Sequence, residues 1–162
     1  MRKRKGFTLI ELLIVIGVIA ILAAIIFVAV DPARRLAEAR NAERWSSANS
    51  ILNAVLKSTV DNDGVMPVTE DTQATPVAIV AGDVYEIGTA AAASNCAGAS
   101  LQIDLGTLVD DYLASLPLDP DPTTPGTAAN TGYSYSVSTA GRITVAACGS
   151  EDADGDGAPT IS

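Results

Sequence analysis

Residues 5–30 read KGFTLIELLIVIGVIAILAAIIFVAV, and this stretch decides the fold of the chain. Nineteen consecutive apolar residues, 12–30, follow a single acid, Glu11. A helix rises about 1.5 Å per residue, so the apolar run would be about 28 Å long, which is enough to cross the hydrocarbon of a bilayer. The sequence therefore predicts one membrane-spanning helix at the N-terminal end.

The charges on either side of the apolar run predict its orientation. Four basic residues precede it and Asp31 follows it, so the positive-inside rule places Met1 in the cytoplasm and the bulk of the chain outside. The basic residues are Arg2, Lys3, Arg4 and Lys5. A conventional secretory signal has a shorter apolar region, of about 7 to 15 residues, that ends at a small-residue cleavage site. The length of this run therefore argues against a conventional signal peptide.

Glu11 is an unusual residue at the start of a membrane helix. A charge at the bilayer centre costs about 2.5 to 3.5 kcal/mol on insertion scales, and less near an interface, so a passive role is energetically tolerable. A cut after Gly6 would nevertheless create a cationic amine at Phe7, close enough along the chain to suggest a partner. A carboxylate and an amine that are brought together in an apolar bundle neutralise each other far better than they do in water.

Residues 5–30 resemble the N-terminus of type IV prepilins and of the pseudopilins of type II secretion. The resemblance implies that a prepilin peptidase cuts after Gly6 and, as an N-methyltransferase, methylates the new N-terminal Phe7. It further implies that Glu11 pairs with the Phe7 amine of a neighbouring subunit. The partners that follow are membrane lipid before assembly, an inner-membrane assembly platform, and further copies of the chain in a helical filament.

After Pro32, the first proline, the pattern becomes amphipathic. Residues at helical spacing predict one apolar face, which we expect the following domain to cover. These residues are Ala42, Trp45, Ala48, Leu52, Val55 and Thr59, with Ile51 and Leu56 beside them. Arg34, Arg35, Arg40, Arg44 and Lys57 are assigned to the polar side. Any proline-linked break should lie near residues 30–32, and the turn residues 61–64 should end the helix.

The remaining hundred or so residues are enough for one modest core. We predict strands at 77–80 and 84–87, a short helix at 104–113, irregular chain around Pro117, Pro120, Pro122 and Pro125, and a hairpin of 133–137 with 143–147. The predicted class is α+β and pilin-like: a long N-terminal α-helix, half transmembrane and half amphipathic, packed against a small antiparallel β-sheet. Its parts are a basic leader (1–6), an apolar helix (7–30), an amphipathic continuation (31–60) and a globular head with a C-terminal hairpin and acidic tail (61–162).

Cys96 and Cys148 both lie in the predicted exported part. An even number of cysteines in an oxidising compartment favours a disulfide, which would contribute about 4 kcal/mol in the chain-entropy model. Two free thiols remain the alternative.

Asp152, Asp154 and Asp156, with Gly157, match the start of a calcium-binding loop. The bidentate acid of such loops would fall beyond Ser162, so further ligands would have to come from Glu151, from backbone or from a loop such as 119–121. Calcium is the one cofactor that the sequence suggests, and a solvated acidic tail is the alternative.

Charge and composition limit the function. The chain has no histidine, which excludes Ser-His and Cys-His nucleophile systems, and it has no glycine-rich phosphate loop. From Asp61 onward Arg142 is the only basic residue among fifteen acids, so no specific nucleic-acid binding is predicted. We interpret the protein as a structural subunit that is a substrate of enzymes, not an enzyme.

Three functions remain open at this point. The first is a pilin that polymerises into a type IV pilus-like surface filament for adhesion, motility or uptake. The second is a pseudopilin of a type II secretion system. The third is a monomeric, membrane-tethered binding domain in which Glu11 is incidental. The first two place the chain in the cytoplasmic membrane before assembly and outside it afterwards.

Overall fold

The structure is a computed structural model that describes residues 6–66, 79–88, 96–99, 101–149 and 160–161. In chain order the elements are α1 (Leu9–Val30), α2 (Pro32–Asp61), β1 (Val84–Ile87), β2 (Leu101–Ile103), a 3₁₀ turn (Gly106–Leu108), β3 (Tyr133–Val137), β4 (Ile143–Ala147) and β5 (Thr160–Ile161). The chain divides into two compact units, Met1–Leu36 and Ala37–Ser162.

The first unit contains α1 and the break that follows it. Asp31 lies between the two helices with a left-handed φ of 41°, and its carboxylate accepts a hydrogen bond from the backbone N–H of Arg34. Pro32 begins α2, where its missing N–H costs nothing because the first N–H groups of a helix have no partner in the helix. The predicted break near residues 30–32 is confirmed.

α1 itself is apolar around its whole circumference, and none of its residues is buried. Within the described part of the chain, one helical region is long and apolar enough to cross a membrane, and it contains α1.

The second unit is built on a five-stranded sheet with the order β2-β1-β3-β4-β5. β3 and β4 form the predicted hairpin, and its turn is closed by a 2.8 Å hydrogen bond from Gly141 N–H to the Ser138 carbonyl, with Gly141 at a φ of 77°. Strand 84–87 is confirmed as β1. The predicted α+β class is confirmed, but the sheet is mixed and not antiparallel throughout, because β1 pairs in parallel with β2, a strand that the sequence did not predict.

Two further predictions for this unit are corrected. The helix predicted at 104–113 is only the single 3₁₀ turn of Gly106–Leu108, because the Asp104 carboxylate accepts from Gly106 N–H and Asp110 takes a left-handed φ of 77°. The apolar spacing there serves loop residues that reach the core, among them Leu105 and Leu108. Of the strand predicted at 77–80, residues 79 and 80 are not in a strand, and the first two lie outside the described residues.

The predicted irregular stretch and the predicted end of the long helix both agree with the structure. The proline-rich stretch from 117 to 132 contains no helix or strand. α2 ends at Asp61, and a hydrogen bond of 2.8 Å from Gly64 N–H to the Thr59 carbonyl closes its C-terminus, with Gly64 at a φ of 87°. The predicted turn at 61–64 is therefore confirmed.

α2 packs its residues from Ala37 onward against the sheet through a face that differs from the predicted one. Ala48, Ile51, Leu52 and Val55 are buried as expected, and they join Tyr85, Tyr133 and Tyr135 in one apolar cluster. Ala42, Trp45 and Leu56 are exposed, however, and Thr59 is only partly buried. Arg44, which the sequence assigned to the polar side, is completely buried.

Burial of Arg44 explains why the face is rotated. Its guanidinium donates to the Asp119 carboxylate, from Nη2 at 2.8 Å and from Nε at 3.0 Å, and its Nη1 donates to Asn41 Oδ1 at 2.8 Å. Asp119 is itself 5% exposed. Because a buried charge is tolerated only when it is paired, the head must approach α2 from the side on which Arg44 lies.

The loop that carries Asp119 is shaped to hold this ion pair. Asp119 N–H donates to the Thr131 carbonyl, and Gly132, at a φ of 81°, passes so close that an added Cβ would overlap the Asp119 side chain. Hydrogen bonds from the Thr123 hydroxyl and N–H, and from Thr124 N–H, lower the pKa of Asp121 to about 2. Asp121 therefore stays anionic in this loop, 4.0 Å from the Arg44 guanidinium.

A disulfide between Cys96 and Cys148 closes a sequence separation of 52 residues, with the two Cα atoms 4.8 Å apart. Cys148 N–H donates to the Gly132 carbonyl, so the bond fixes the Cys96 segment to the end of β4, close to the Asp119 loop. Among the described cysteines none is free. The predicted disulfide is present in the structure.

Replacement of Arg44 with Ala should lower the free energy of unfolding by about 3–5 kcal/mol, because it leaves Asp119 buried without a counter-charge. Lys57→Ala, on an exposed position of the same helix, should change it by less than about 0.5 kcal/mol. Chemical denaturation of the full chain in detergent, followed by circular dichroism, measures both. Equal small effects of the two substitutions would show that the Arg44 pair is not a structural requirement.

The Cys96→Ser, Cys148→Ser double variant should lose about 4 kcal/mol of unfolding free energy, since the closed loop restricts the unfolded chain. The intact mass of the native protein should be lower than that of the reduced protein by two hydrogen atoms. Quantitative alkylation of both cysteines in native, unreduced protein would rule the bond out.

Candidate functional site

The processing position lies in non-helical chain immediately before α1. Gly6, Phe7 and Thr8 are all exposed and belong to no helix or strand. Phe7 is 87% exposed, and an added Cβ at Gly6 would meet no atom within 4 Å. The Gly6–Phe7 bond is therefore uncovered by the described residues.

Thr8 and Glu11 form a reciprocal capping box at the start of α1. The Thr8 hydroxyl accepts from Glu11 N–H at 3.3 Å, while Glu11 Oε2 accepts from Thr8 N–H at 2.8 Å and from the Thr8 hydroxyl at 2.7 Å. Such a box satisfies backbone donors that a helix N-terminus otherwise leaves without a partner. It also fixes the side chain of Glu11 in one direction.

The electrostatics of this helix start favour an anion. Glu11 is the acid in the first turn of α1, where the aligned peptide dipoles give the helix end a partial positive charge. Both hydrogen bonds to the carboxylate end on Oε2, so Oε1 has no donor among the described residues. The carboxylate is exposed, held in place, and able to accept a further donor.

Three of the predicted site residues, Gly6, Phe7 and Glu11, thus lie within six consecutive residues at the start of α1. Sequence reasoning missed Thr8 as a member of the site. The signal was present, since a threonine followed three residues later by a glutamate is the sequence signature of a capping box. The predicted pairing of Glu11 with a neighbouring amine stays a prediction, because it involves a second copy of the chain.

The predicted calcium ligands Asp152, Asp154 and Asp156 lie outside the described residues, as does Glu151. Among the residues that are described, no cluster of three or more acids, cysteines or histidines could hold a metal ion. The loop 119–121, considered as a source of further ligands, uses its carboxylates differently. Asp119 binds Arg44, and Asp121 Oδ1 accepts from Thr123 and Thr124.

A comparison with protein families matches residues 1–27 to the model described as the prokaryotic N-terminal methylation motif. Neither the curated proteins nor the solved structures include a significant match to the chain. The motif implies processing by a prepilin peptidase. With the α+β arrangement of N-terminal helices and a small mixed sheet, the match identifies the N-terminal signature of the type IV pilins and pseudopilins in this chain.

Proposed function

We propose that the chain is a pilin, which prepilin peptidase cuts after Gly6 and methylates at Phe7, and which then polymerises into a type IV pilus-like surface filament. The observation that carries the proposal is the position of Glu11. The Glu11 carboxylate accepts hydrogen bonds from Thr8 but remains exposed. It lies in the first turn of an apolar helix, four residues after Phe7, whose amine cleavage would create.

The apolar surface of α1 supports polymerisation. Burial of each Leu, Ile, Val or Phe side chain is worth about 1.5–3 kcal/mol, and α1 carries such residues on every side with none buried. Lipid covers this surface in the precursor. Outside the membrane, the α1 helices of other copies have the same length and the same apolar side chains, so they can cover this surface in place of lipid. Release from lipid and assembly therefore occur together.

Glu11 sets the register of this assembly. Its Oε2 is engaged by Thr8, and its Oε1 accepts the methylated Phe7 amine of the neighbouring copy. In an apolar bundle an unpaired carboxylate or ammonium is strongly unfavourable, whereas the pair is tolerated. Subunits added at any other axial position would leave both charges unpaired, so the pair selects one stagger between adjacent helices.

The partners and the location follow from this scheme. The precursor spans the cytoplasmic membrane once, with its basic leader in the cytoplasm, and an inner-membrane platform lifts processed subunits into the filament. The head then forms the outer surface. From Asp61 onward its sequence has one basic residue against fifteen acids, so the filament surface is acidic.

A short secretion pseudopilus is the second candidate, and the acidic repeat of Asp152, Asp154 and Asp156 is the feature that favours it. If the repeat binds calcium, removal of calcium with EGTA should destabilise the head and reduce assembly. Long surface fibres that are indifferent to EGTA would favour the pilus, and short, calcium-dependent fibres the pseudopilus.

Glu11→Gln keeps the size of the side chain but removes the charge that pairs with the amine. We expect it to reduce surface filaments at least about tenfold, equivalent to about 1.4 kcal/mol per added subunit, while processing at Gly6 and the membrane level of the subunit are unchanged. Electron microscopy and immunoblotting of sheared surface material measure the filaments, and mass spectrometry of the mature N-terminus checks for methylated Phe7.

Glu43→Gln removes an exposed acid from α2 and serves as the matched control, with filaments at the wild-type level. Wild-type amounts of filament from the Glu11→Gln variant would reject the register mechanism. Wild-type protein that remains monomeric with residues 1–6 attached would reject the proposed function as a whole.

Thr8→Val removes the hydroxyl that donates to Glu11 and accepts from its N–H, with little change in volume. Loss of such a cap costs about 1 kcal/mol, so filament yield should fall several-fold. Thr8→Ser retains the hydroxyl and should assemble nearly as well as wild type. If the two variants assemble equally, the Thr8 hydroxyl does not position Glu11.

A further inference from the structure

α2 has two apolar faces, of which the described head covers one. The covered face is the one that carries Ala48, Ile51 and Val55. A second set of large apolar residues on α2, Trp45, Leu56 and Val60, is exposed by 54%, 45% and 77% respectively. We call these three residues the outer stripe.

The outer stripe lies along one side of the helix, where the exposed residues Asn49 and Asn53, hydrogen-bonded to each other, separate Trp45 from Leu56. Leu56 follows Trp45 by eleven residues, which is about three full turns and about 16 Å, and Val60 lies one turn further on. The stripe is rotated from the covered face by roughly a third of the helix circumference. A single approaching surface can therefore contact all three side chains without displacing the head.

Lipid is a poor cover for this stripe. Besides the buried Arg44, five charged residues precede Trp45 within α2, so this part of the helix lies in water if α1 spans the membrane. They are Arg34, Arg35, Glu38, Arg40 and Glu43. An exposed aromatic and aliphatic stripe in water is typical of a protein–protein contact.

Charge selects a second copy of this chain as the partner. Apart from Arg44 and Asp119, which pair within one chain, the sequence from 32 to 60 has four basic residues against two acids, whereas from 62 onward there are thirteen acids and one arginine. Two copies therefore attract each other when α2 of one lies beside the head of the other. Only Asp31 separates α2 from α1, so a contact through the stripe continues along the chain from the helix packing proposed above.

We infer that the outer stripe of α2 is a contact between copies, with Trp45 as its anchor. The inference rests on the proposed filament function and adds a second, water-exposed contact to the α1 packing. Trp is the residue type most enriched among the side chains that dominate binding energy at interfaces, and Leu56 and Val60 extend the buried area along the same line.

Trp45 is the single tryptophan of the chain, so its fluorescence tests the inference directly in the full-length wild-type protein. In detergent-dispersed subunits the indole should be open to acrylamide. In intact filaments its emission should shift to shorter wavelength and the quenching constant should fall, as expected when a half-exposed side chain becomes buried at an interface.

Two leucine variants test whether an effect on assembly is specific to the outer stripe or follows from the loss of any exposed apolar side chain. Leu56 and Leu101 are both 45% exposed, but Leu101 lies on the sheet edge in β2. Leu56→Ser should reduce filament yield about tenfold, whereas Leu101→Ser should leave it near wild type. Circular dichroism of both variants in detergent confirms that each remains folded.

The possible outcomes are distinct. Filaments in which Trp45 is quenched as readily as in dispersed subunits would overturn the inference and leave the proposed function intact, as would equal yields from the two leucine variants. Shielding of Trp45 already in dispersed subunits would show that detergent or the chain's own residues cover the stripe, which also overturns it. Failure of the wild type to form filaments would instead refute the proposed function.

Discussion

The apolar circumference of α1 is the constraint on which the rest of the protein depends. A helix with no polar side and no buried residue needs lipid or other helices around it, and the two environments call for the same side chains. Glu11, the one charged residue at its start, differs because its carboxylate needs hydrogen-bond donors in either environment. Thr8 of the same chain donates to Oε2, and the amine of a neighbouring copy donates to Oε1 in the proposed filament.

In the second unit, a buried ion pair determines how α2 packs against the sheet. Arg44 and Asp119 join α2 to the loop between the 3₁₀ turn and β3, and the disulfide of Cys96 with Cys148 fixes the adjacent chain. Because the pair determines which side of α2 meets the sheet, it also determines which side remains outside. The exposure of Trp45 and Leu56 is thus a consequence of where Arg44 is buried.

The sequence predicts well those features that depend on local pattern. The length of α1, the break at Asp31, the end of α2 and the hairpin all follow from periodicity or turn residues, and the family match of residues 1–27 follows from a contiguous motif. Apart from the Cys96–Cys148 disulfide, features that depend on contacts between distant residues were missed. No local signal links Arg44 to Asp119, so Arg44 was placed on the polar face. The amino-acid sequence between β1 and β2 likewise has no periodicity that would predict their parallel pairing. Leu105 and Leu108 show helical spacing only because a loop brings both into the core.

A helical reconstruction of native filaments by electron cryomicroscopy, at a resolution that shows side chains, tests the central claim most directly. The account predicts that the Glu11 carboxylate lies about 3 Å from the methylated Phe7 nitrogen of an adjacent subunit, with the Thr8 hydrogen bonds retained. A map in which Glu11 contacts only its own chain or solvent, with the Phe7 amine paired elsewhere, would contradict it.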